Sequence, residues 1–300
     1  MASVRYTFVH SVGVCAVAFL ALPASGDTYL ALGDSLAFGY STFLGTPQGF
    51  GDNGYARRFA DHLASVDGSR PELLNFAVPG ETSGDFAGGA GFGFLYNQNY
   101  FDDAIGGADF TQAELLDRAL TEHAAGTRTI TNVTVQLGVN DLLQLADQPG
   151  FFGLSSSEQL TQINATINSA AAVVSGILGD VASIAPAAEV AVMGYYNPFT
   201  IIPADPLAPL AEAAAPLLND ALRAAAADAG VSFVDVFDLF VGRESELTRI
   251  LTRDDLFGEP NIHPTELGYD VLANALIAVP APGAVSVLAC VGVFASGRRR

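Results

Sequence analysis

Three hundred residues, half of them hydrophobic and 31 of them glycine, fit one large globular domain with a substantial core and exclude a disordered chain. A net charge of −19, with arginine as the only strong base, excludes nucleic acid and anionic membrane surfaces as partners of the chain's body. The acidic residues show no metal-loop spacing, so no metal is inferred. In chain order, Arg5, the apolar run Val12 to Leu20 and the small residues Ala24-Ser25-Gly26 have the layout of a secretory signal peptide over residues 1–26. Cleavage is expected between Ala24 and Asp27. Cys15 is not a lipid anchor, because Val14 precedes it and it lies within the apolar run.

Residues 27–279 alternate β-rich apolar runs with helical patterns, which predicts an α/β layered fold with a parallel sheet. Strands are predicted over Tyr29–Leu32, Leu73–Val78, Val133–Leu137, Val190–Tyr195 and Val231–Val236. Tyr55, Phe59 and Leu63 recur at helical spacing, as do Leu160, Ile163, Ile167, Ala171 and Val174. Further helices are expected over Leu210–Ala229, capped by Gly230, and over Glu266–Ala278. Segment 84–110 is too glycine-rich for a regular element and too aromatic for a plain linker. Its Phe86, Phe92, Phe94, Tyr96, Tyr100 and Phe101 either line a substrate cleft or pack locally. From Asn197 to Pro209, four prolines prevent a continuous helix and suggest a cleft wall after the fourth strand.

The C-terminal segment 280–300 joins Pro280-Ala281-Pro282-Gly283 to an apolar stretch ending at Ala295 and to Arg298-Arg299-Arg300. This three-part layout resembles the bacterial PEP-CTERM sorting signal, although the family's glutamate between the prolines is Ala281 here. The resemblance implies recognition by sorting machinery and removal of the tail. The stretch is short of the roughly 20 residues that would span a bilayer. An exported protein at the cell surface or outside the cell follows, touching membrane only through its terminal segments. Both cysteines, Cys15 and Cys290, lie in these segments, so any nucleophile of the mature protein is an oxygen.

In open parallel sheets, ligands bind beyond the carboxyl ends of the strands where strand order reverses, which for order 2-1-3-4-5 lies beside the first strand. The loops meeting there hold Gly33-Asp34-Ser35, Pro79-Gly80-Glu81-Thr82 and Gly138-Val139-Asn140-Asp141. Ser35 is placed to attack. The backbone N–H groups of Ser35 and Gly80, with the Asn140 amide, are candidate oxyanion donors. Singly, Gly80 reads as an ordinary turn glycine and Asn140 as a helix cap. Of the three histidines outside the signal, His62 and His123 fall inside helical patterns, whereas His263 precedes Pro264 in a loop before the last helix. His263 is therefore the candidate base.

The blocks Gly33-Asp34-Ser35-Leu36, Gly80, Gly138-Val139-Asn140-Asp141 and His263-Pro264-Thr265-Glu266-Leu267-Gly268-Tyr269 resemble, in order, those of the SGNH or GDSL hydrolases. The resemblance spans roughly residues 28–278. It implies a three-layer α/β/α sandwich with a five-stranded parallel sheet of order 2-1-3-4-5. It also implies cofactor-free ester hydrolysis, with Ser35 as nucleophile, His263 as base and Ser35, Gly80 and Asn140 as the oxyanion hole. The family's aspartate three residues before the histidine is Pro260 here. Glu259 is the candidate acid partner, beside a solvated-loop reading for Glu259, Asp254 and Asp255. Asp34 is expected to fix loop geometry rather than to move protons.

The substrate is a small-molecule or polymer ester, either a lipid ester or an acetylated polysaccharide. Tyr195-Tyr196-Asn197-Pro198-Phe199 resembles a stretch of lysophospholipase-like members and tilts the choice towards lipid or small acyl esters. The alternative from another class is a non-catalytic surface or matrix protein that keeps the hydrolase fold.

Overall fold

A computed structural model of the protein describes residues 26–40, 54–88, 110–252 and 260–279. The order is β1 (Asp27–Gly33), α1 (Ser35–Phe38), α2 (Tyr55–Asp67), β2 (Glu72–Asn75), α3 (Ser83–Gly88) and α4 (Gln112–Ala124). There follow β3 (Thr129–Gln136), α5 (Val139–Ala146), a 3-10 turn at Phe151–Gly153, α6 (Ser156–Ile184), β4 (Glu189–Met193) and a second 3-10 turn at Pro198–Ile201. The chain closes with α7 (Ala208–Ala229), β5 (Ser232–Val234), α8 (Phe237–Phe240), α9 (Glu244–Leu247) and α10 (Glu266–Ile277).

The strands form one parallel sheet of order β2-β1-β3-β4-β5, as expected. From β1 the chain steps one way to β2, then crosses β1 and steps the other way through β3, β4 and β5. Right-handed crossovers therefore place α2 on one face and α4, α6 and α7 on the other. The packing agrees: α10 returns to lie against α2, while α6 packs on α7, α5 and α4. Burial on both faces explains why β1 reads as a continuous apolar run, with Tyr29, Leu30, Ala31 and Leu32 wholly buried.

Differences from the sequence reading have local causes. Strand β2 ends at Asn75 rather than Val78, yet Phe76 and Val78 still donate to the Ala31 and Gly33 carbonyls at 2.9 and 3.0 Å. The backbone has begun to leave the sheet without losing its hydrogen bonds. Helix α6 begins before Leu160, because Ser155 and Glu158 form a reciprocal capping box. Its buried stripe runs through Ile163, Ile167, Ala170 and Val174, and Leu160 is 47% exposed. The start of segment 84–110 is helical after all: Thr82 accepts from the Asp85 N–H at 3.1 Å and so nucleates α3, whose Phe86 joins the core. Phe92, Phe94, Tyr96, Tyr100 and Phe101 lie outside the described residues. So do residues 1–25 of the expected 1–26 signal, and the tail from 280.

Gly33 sets how closely β1 approaches β3. Its φ is +138°, and a Cβ there would sit 2.0 Å from the Gln136 carbonyl oxygen, an atom fixed in the neighbouring strand. Gly33→Ala must therefore part the two central strands where they deliver Ser35. We expect a loss of about 2–4 kcal/mol in folding free energy, measured by urea denaturation.

Candidate active site

Past Gly33 the chain turns sharply into α1. Asp34 is the N-cap of this turn: its Oδ1 accepts from the Leu36 N–H at 2.9 Å, while Oδ2 accepts from the Tyr195 hydroxyl at 2.6 Å. Its own N–H donates to Gln136 O at 3.1 Å. The carboxyl group is wholly buried, and that desolvation pushes its pKa up to about 7 against the opposing effect of the two donors. Ser35 is the first residue of α1 and is 8% exposed.

The second loop turns at Pro79-Gly80, closed by the Glu81 N–H donating to Val78 O at 3.1 Å. Gly80 has φ +79°, the left-handed conformation that glycine adopts freely after proline in such a turn. Asn140, in the first turn of α5, donates from Nδ2 to the Glu81 carbonyl at 3.0 Å. An amide nitrogen carries two N–H groups, so this bond uses one and leaves the other for the pocket that Asn140 lines. The next residue, Asp141, accepts from the Ser83 N–H at 2.9 Å and from its hydroxyl at 2.5 Å. Consecutive side chains of α5 thus hold the Gly80 loop at two points. Gln112 pairs with Gly33, at the end of β1, as a strand would: Nε2 donates to Gly33 O at 2.7 Å and Oε1 accepts from Gly33 N at 2.9 Å. Burial pushes the Glu81 carboxyl up to about 8, with the Asp85 charge raising it further and a hydrogen bond from Gln112 opposing both.

His263 lies at the end of the last loop, its ring centroid 4.4 Å from that of Tyr40. The Tyr40 N–H donates to the Ser35 carbonyl at 2.9 Å, so this contact brings the imidazole to the α1 turn. Two tyrosines fix the arrangement, with Tyr269 OH donating to Tyr40 O at 2.9 Å and Tyr196 OH to Ile262 O at 2.8 Å. The wholly buried Asn261 sets the state of the ring. Its Oδ1 lies 3.0 Å from the His263 N–H and 2.8 Å from His263 Nδ1. A backbone N–H can only donate, so the amide atom facing both groups is the oxygen. Nδ1 therefore carries the proton, and in the neutral ring Nε2 carries the lone pair.

His62 stacks on Phe59, with ring centroids 6.4 Å apart, and His123 accepts from the Ile130 N–H through Nδ1 at 3.1 Å. Both serve packing. Glu259, Asp254 and Asp255 lie outside the described residues.

Ser35 and Asn140 line one pocket, whose other walls come from α5, α7, the Tyr195-Tyr196 strand exit and the 3-10 turn at Pro198–Ile201. Pro198, Phe199 and Leu207 are among its lining residues, so the proline-rich stretch is a cleft wall. Sequence reasoning missed Gln112, Tyr195 as the Asp34 partner, and Asn261. For Asn261 a signal existed: an Asx residue whose side chain can accept from the N–H two positions on.

The model of the GDSL-like Lipase/Acylhydrolase family matches residues 31–271. No curated protein matches the chain significantly. Among solved structures, an extracellular lipase from Streptomyces rimosus is 23% identical with TM-score 0.57, covering 85% of this chain and 100% of that one. Phospholipase A1 from Streptomyces albidoflavus NA297 is 18% identical with TM-score 0.55, covering 85% and 99%. An acetylxylan esterase from Geobacillus stearothermophilus, as a catalytic mutant, is 15% identical with TM-score 0.52, covering 85% and 94%. At these identities the structures share a fold with this chain, and it is the family match across the sheet, the Ser35 turn and the His263 loop that identifies it: the chain belongs to the GDSL-like lipase/acylhydrolase family and is a carboxylic ester hydrolase.

Proposed function

We propose that the protein is an exported serine esterase that works through an acyl-enzyme on Ser35. Ser35 Oγ attacks the ester carbonyl carbon while its proton passes to His263 Nε2. The carbonyl oxygen, now an oxyanion, is held by the N–H groups of Ser35 and Gly80 and by the second Nδ2 proton of Asn140. Collapse breaks the C–O bond, and the leaving alkoxide takes the proton from Nε2. Water then attacks the acyl-enzyme and gives its proton to His263, which returns it to Ser35 as the acid departs. No cofactor enters this sequence.

The observation that carries the reading is the contact of His263 Nδ1 with Asn261 Oδ1. With Nδ1–H committed to Asn261 Oδ1 at 2.8 Å, Nε2 is the basic nitrogen, as a general base for serine requires. Asn261 is thus a positioning residue, and Glu259 remains the proposed acid partner from the sequence. Export rests on the three-part patterns at residues 1–26 and 280–300. The structures of this fold include an extracellular lipase, a phospholipase A1 and an acetylxylan esterase, so the lean towards lipid or small acyl esters rests on the Tyr195-Tyr196-Asn197-Pro198-Phe199 stretch.

A fluorophosphonate probe tests the nucleophile. The mature protein is expected to label and to hydrolyse aryl esters, and Ser35→Ala to lose both. Folded wild-type protein that neither labels nor hydrolyses would instead be the non-catalytic surface protein.

The positioning role predicts that Asn261→Ala lowers kcat/KM by about 10²-fold, short of the roughly 10⁴-fold lost when a triad carboxylate is neutralised. Asn261→Asp restores activity and moves the acidic limb of the pH–rate profile to higher pH, because an adjacent carboxylate favours the imidazolium. A silent Asn261→Ala beside a damaging Glu259→Gln would return the role to Glu259.

A further inference from the structure

We propose that a groove at the opposite end of the sheet from Ser35 is a second binding site, one that takes an extended aliphatic cation of the polyamine class. The site does not depend on the ester chemistry. Strand β1 runs from Asp27, which lines the groove, to Gly33, so its 7 residues separate the groove from the Ser35 turn by about 20 Å. The groove holds about 510 Å³, a volume suited to a small organic molecule.

Its floor is the face of the sheet on which α2 packs. Tyr29 meets Phe59 of α2 edge-on, with ring centroids 5.3 Å apart, and Tyr29 is paired in register with Asn132. Asn132 pairs in turn with Glu189 of β4, while Thr134 pairs with Ala191 and Ala191 with Ser232 of β5. Alternation along each strand turns these side chains to the same side. Phe59, Leu63 and Val66 of α2, with Leu276 and Ile277 of α10, supply apolar walls.

Asn132 is the residue that points to a ligand. It lies on an inner strand, is 7% exposed and lines the groove, yet its side-chain amide has no hydrogen-bond partner among the described residues. Its neighbours on β3 are satisfied within the fold: Thr131 Oγ1 donates to Thr28 O at 3.3 Å, and Thr134 Oγ1 lies 2.8 Å from Tyr29 Oη. An amide shielded from water costs stability unless a partner reaches it.

Charge decides what that partner is. Asp27, Asp67 and Glu189 line the groove and make no ion pair among the described residues, and the one base in its described lining, His62, is stacked on Phe59. Arg70, next to the lining residue Ser69, is bound to Asp61 instead. Helices α2 and α10 both end here, at Asp67 and Ile277, and a helix C-terminus adds partial negative charge. Anions are therefore repelled. A single metal ion does not fit either, because among the described residues no three His, Cys, Asp or Glu side chains are grouped to hold one. Asp27 and Glu189 stand on β1 and β4, with β3 between them, so they are at least about 10 Å apart. Carboxylates so spread are met by ammonium groups held apart by methylenes, which lie along the apolar walls while Asn132 Oδ1 accepts from one N–H.

Isothermal titration calorimetry of the purified protein with spermidine, magnesium chloride and xylohexaose tests the site. We expect saturable one-to-one binding of spermidine alone. Glu189→Gln and Asp67→Asn, both on the exposed rim, should each raise Kd about threefold, as loss of a partly exposed ion pair does, and together about tenfold. Asn132→Leu should weaken binding about fivefold while raising the melting temperature, since leucine needs no partner there, whereas loss of a merely structural amide would lower it. Wild-type affinity in Asn132→Leu or in the folded double variant, or the absence of saturable spermidine binding, overturns the site. Binding of xylohexaose or magnesium in place of spermidine overturns the polyamine assignment.

Discussion

The buried carboxyl group of Asp34 is the point from which the site is hung. One oxygen holds the first turn of α1 through the Leu36 N–H, and the other holds the exit of β4 through the Tyr195 hydroxyl. The residue's own N–H is bound to the end of β3 at Gln136. Three elements far apart in the chain converge on one residue, and Ser35 is the next in line. Sealing such a group from water is costly unless donors replace the lost hydration, and here burial outweighs the donors enough to lift its pKa to about 7. A structure that accepts this cost gains a serine turn whose direction cannot drift independently of the sheet. Asp34 therefore fixes geometry.

Where the strands end, the ladders thin out, and side chains add hydrogen bonds to the backbone. Gln112 pairs with both polar groups of Gly33, Asn140 takes the Glu81 carbonyl, and Asp141 takes the Ser83 N–H. The same packing controls charge. Burial raises the carboxyl groups of Asp34, Glu81 and Asp141 alike, and Glu81, at about 8, is largely protonated at neutral pH. Asp34 and Glu81, which the sequence counts as full negative charges, are thus partly neutral beside the loops proposed to receive an oxyanion. Fixed anions there would oppose the charge that the mechanism must stabilise.

Legibility in the sequence followed periodicity. The strands and long helices were readable because burial on a sheet or along a helical stripe imposes a repeat, and the α7 boundary was readable because Gly230 caps it with φ +69°. The Ser35, Asn140 and His263 loops were readable as residue types placed at strand and helix ends. Loop-closing side chains carry no repeat. Gln112 looked like any polar residue opening a helix, although it is 1% exposed and reaches a backbone 79 residues away. Asn261 carries no charge and no periodicity to mark it, although its side chain accepts from the backbone N–H and Nδ1 of His263.

That amide suits its surroundings. Asn261 is wholly buried near a site where burial already raises several carboxyl groups. A carboxylate in its place would add another desolvated anion, whose cost is recovered only when the imidazolium forms. The Asn261 oxygen instead accepts from both the backbone N–H and Nδ1 of His263, fixing ring and tautomer without burying a charge. In the proposed mechanism this contact orients the ring for proton transfer with Ser35, while the developing negative charge falls to the oxyanion donors.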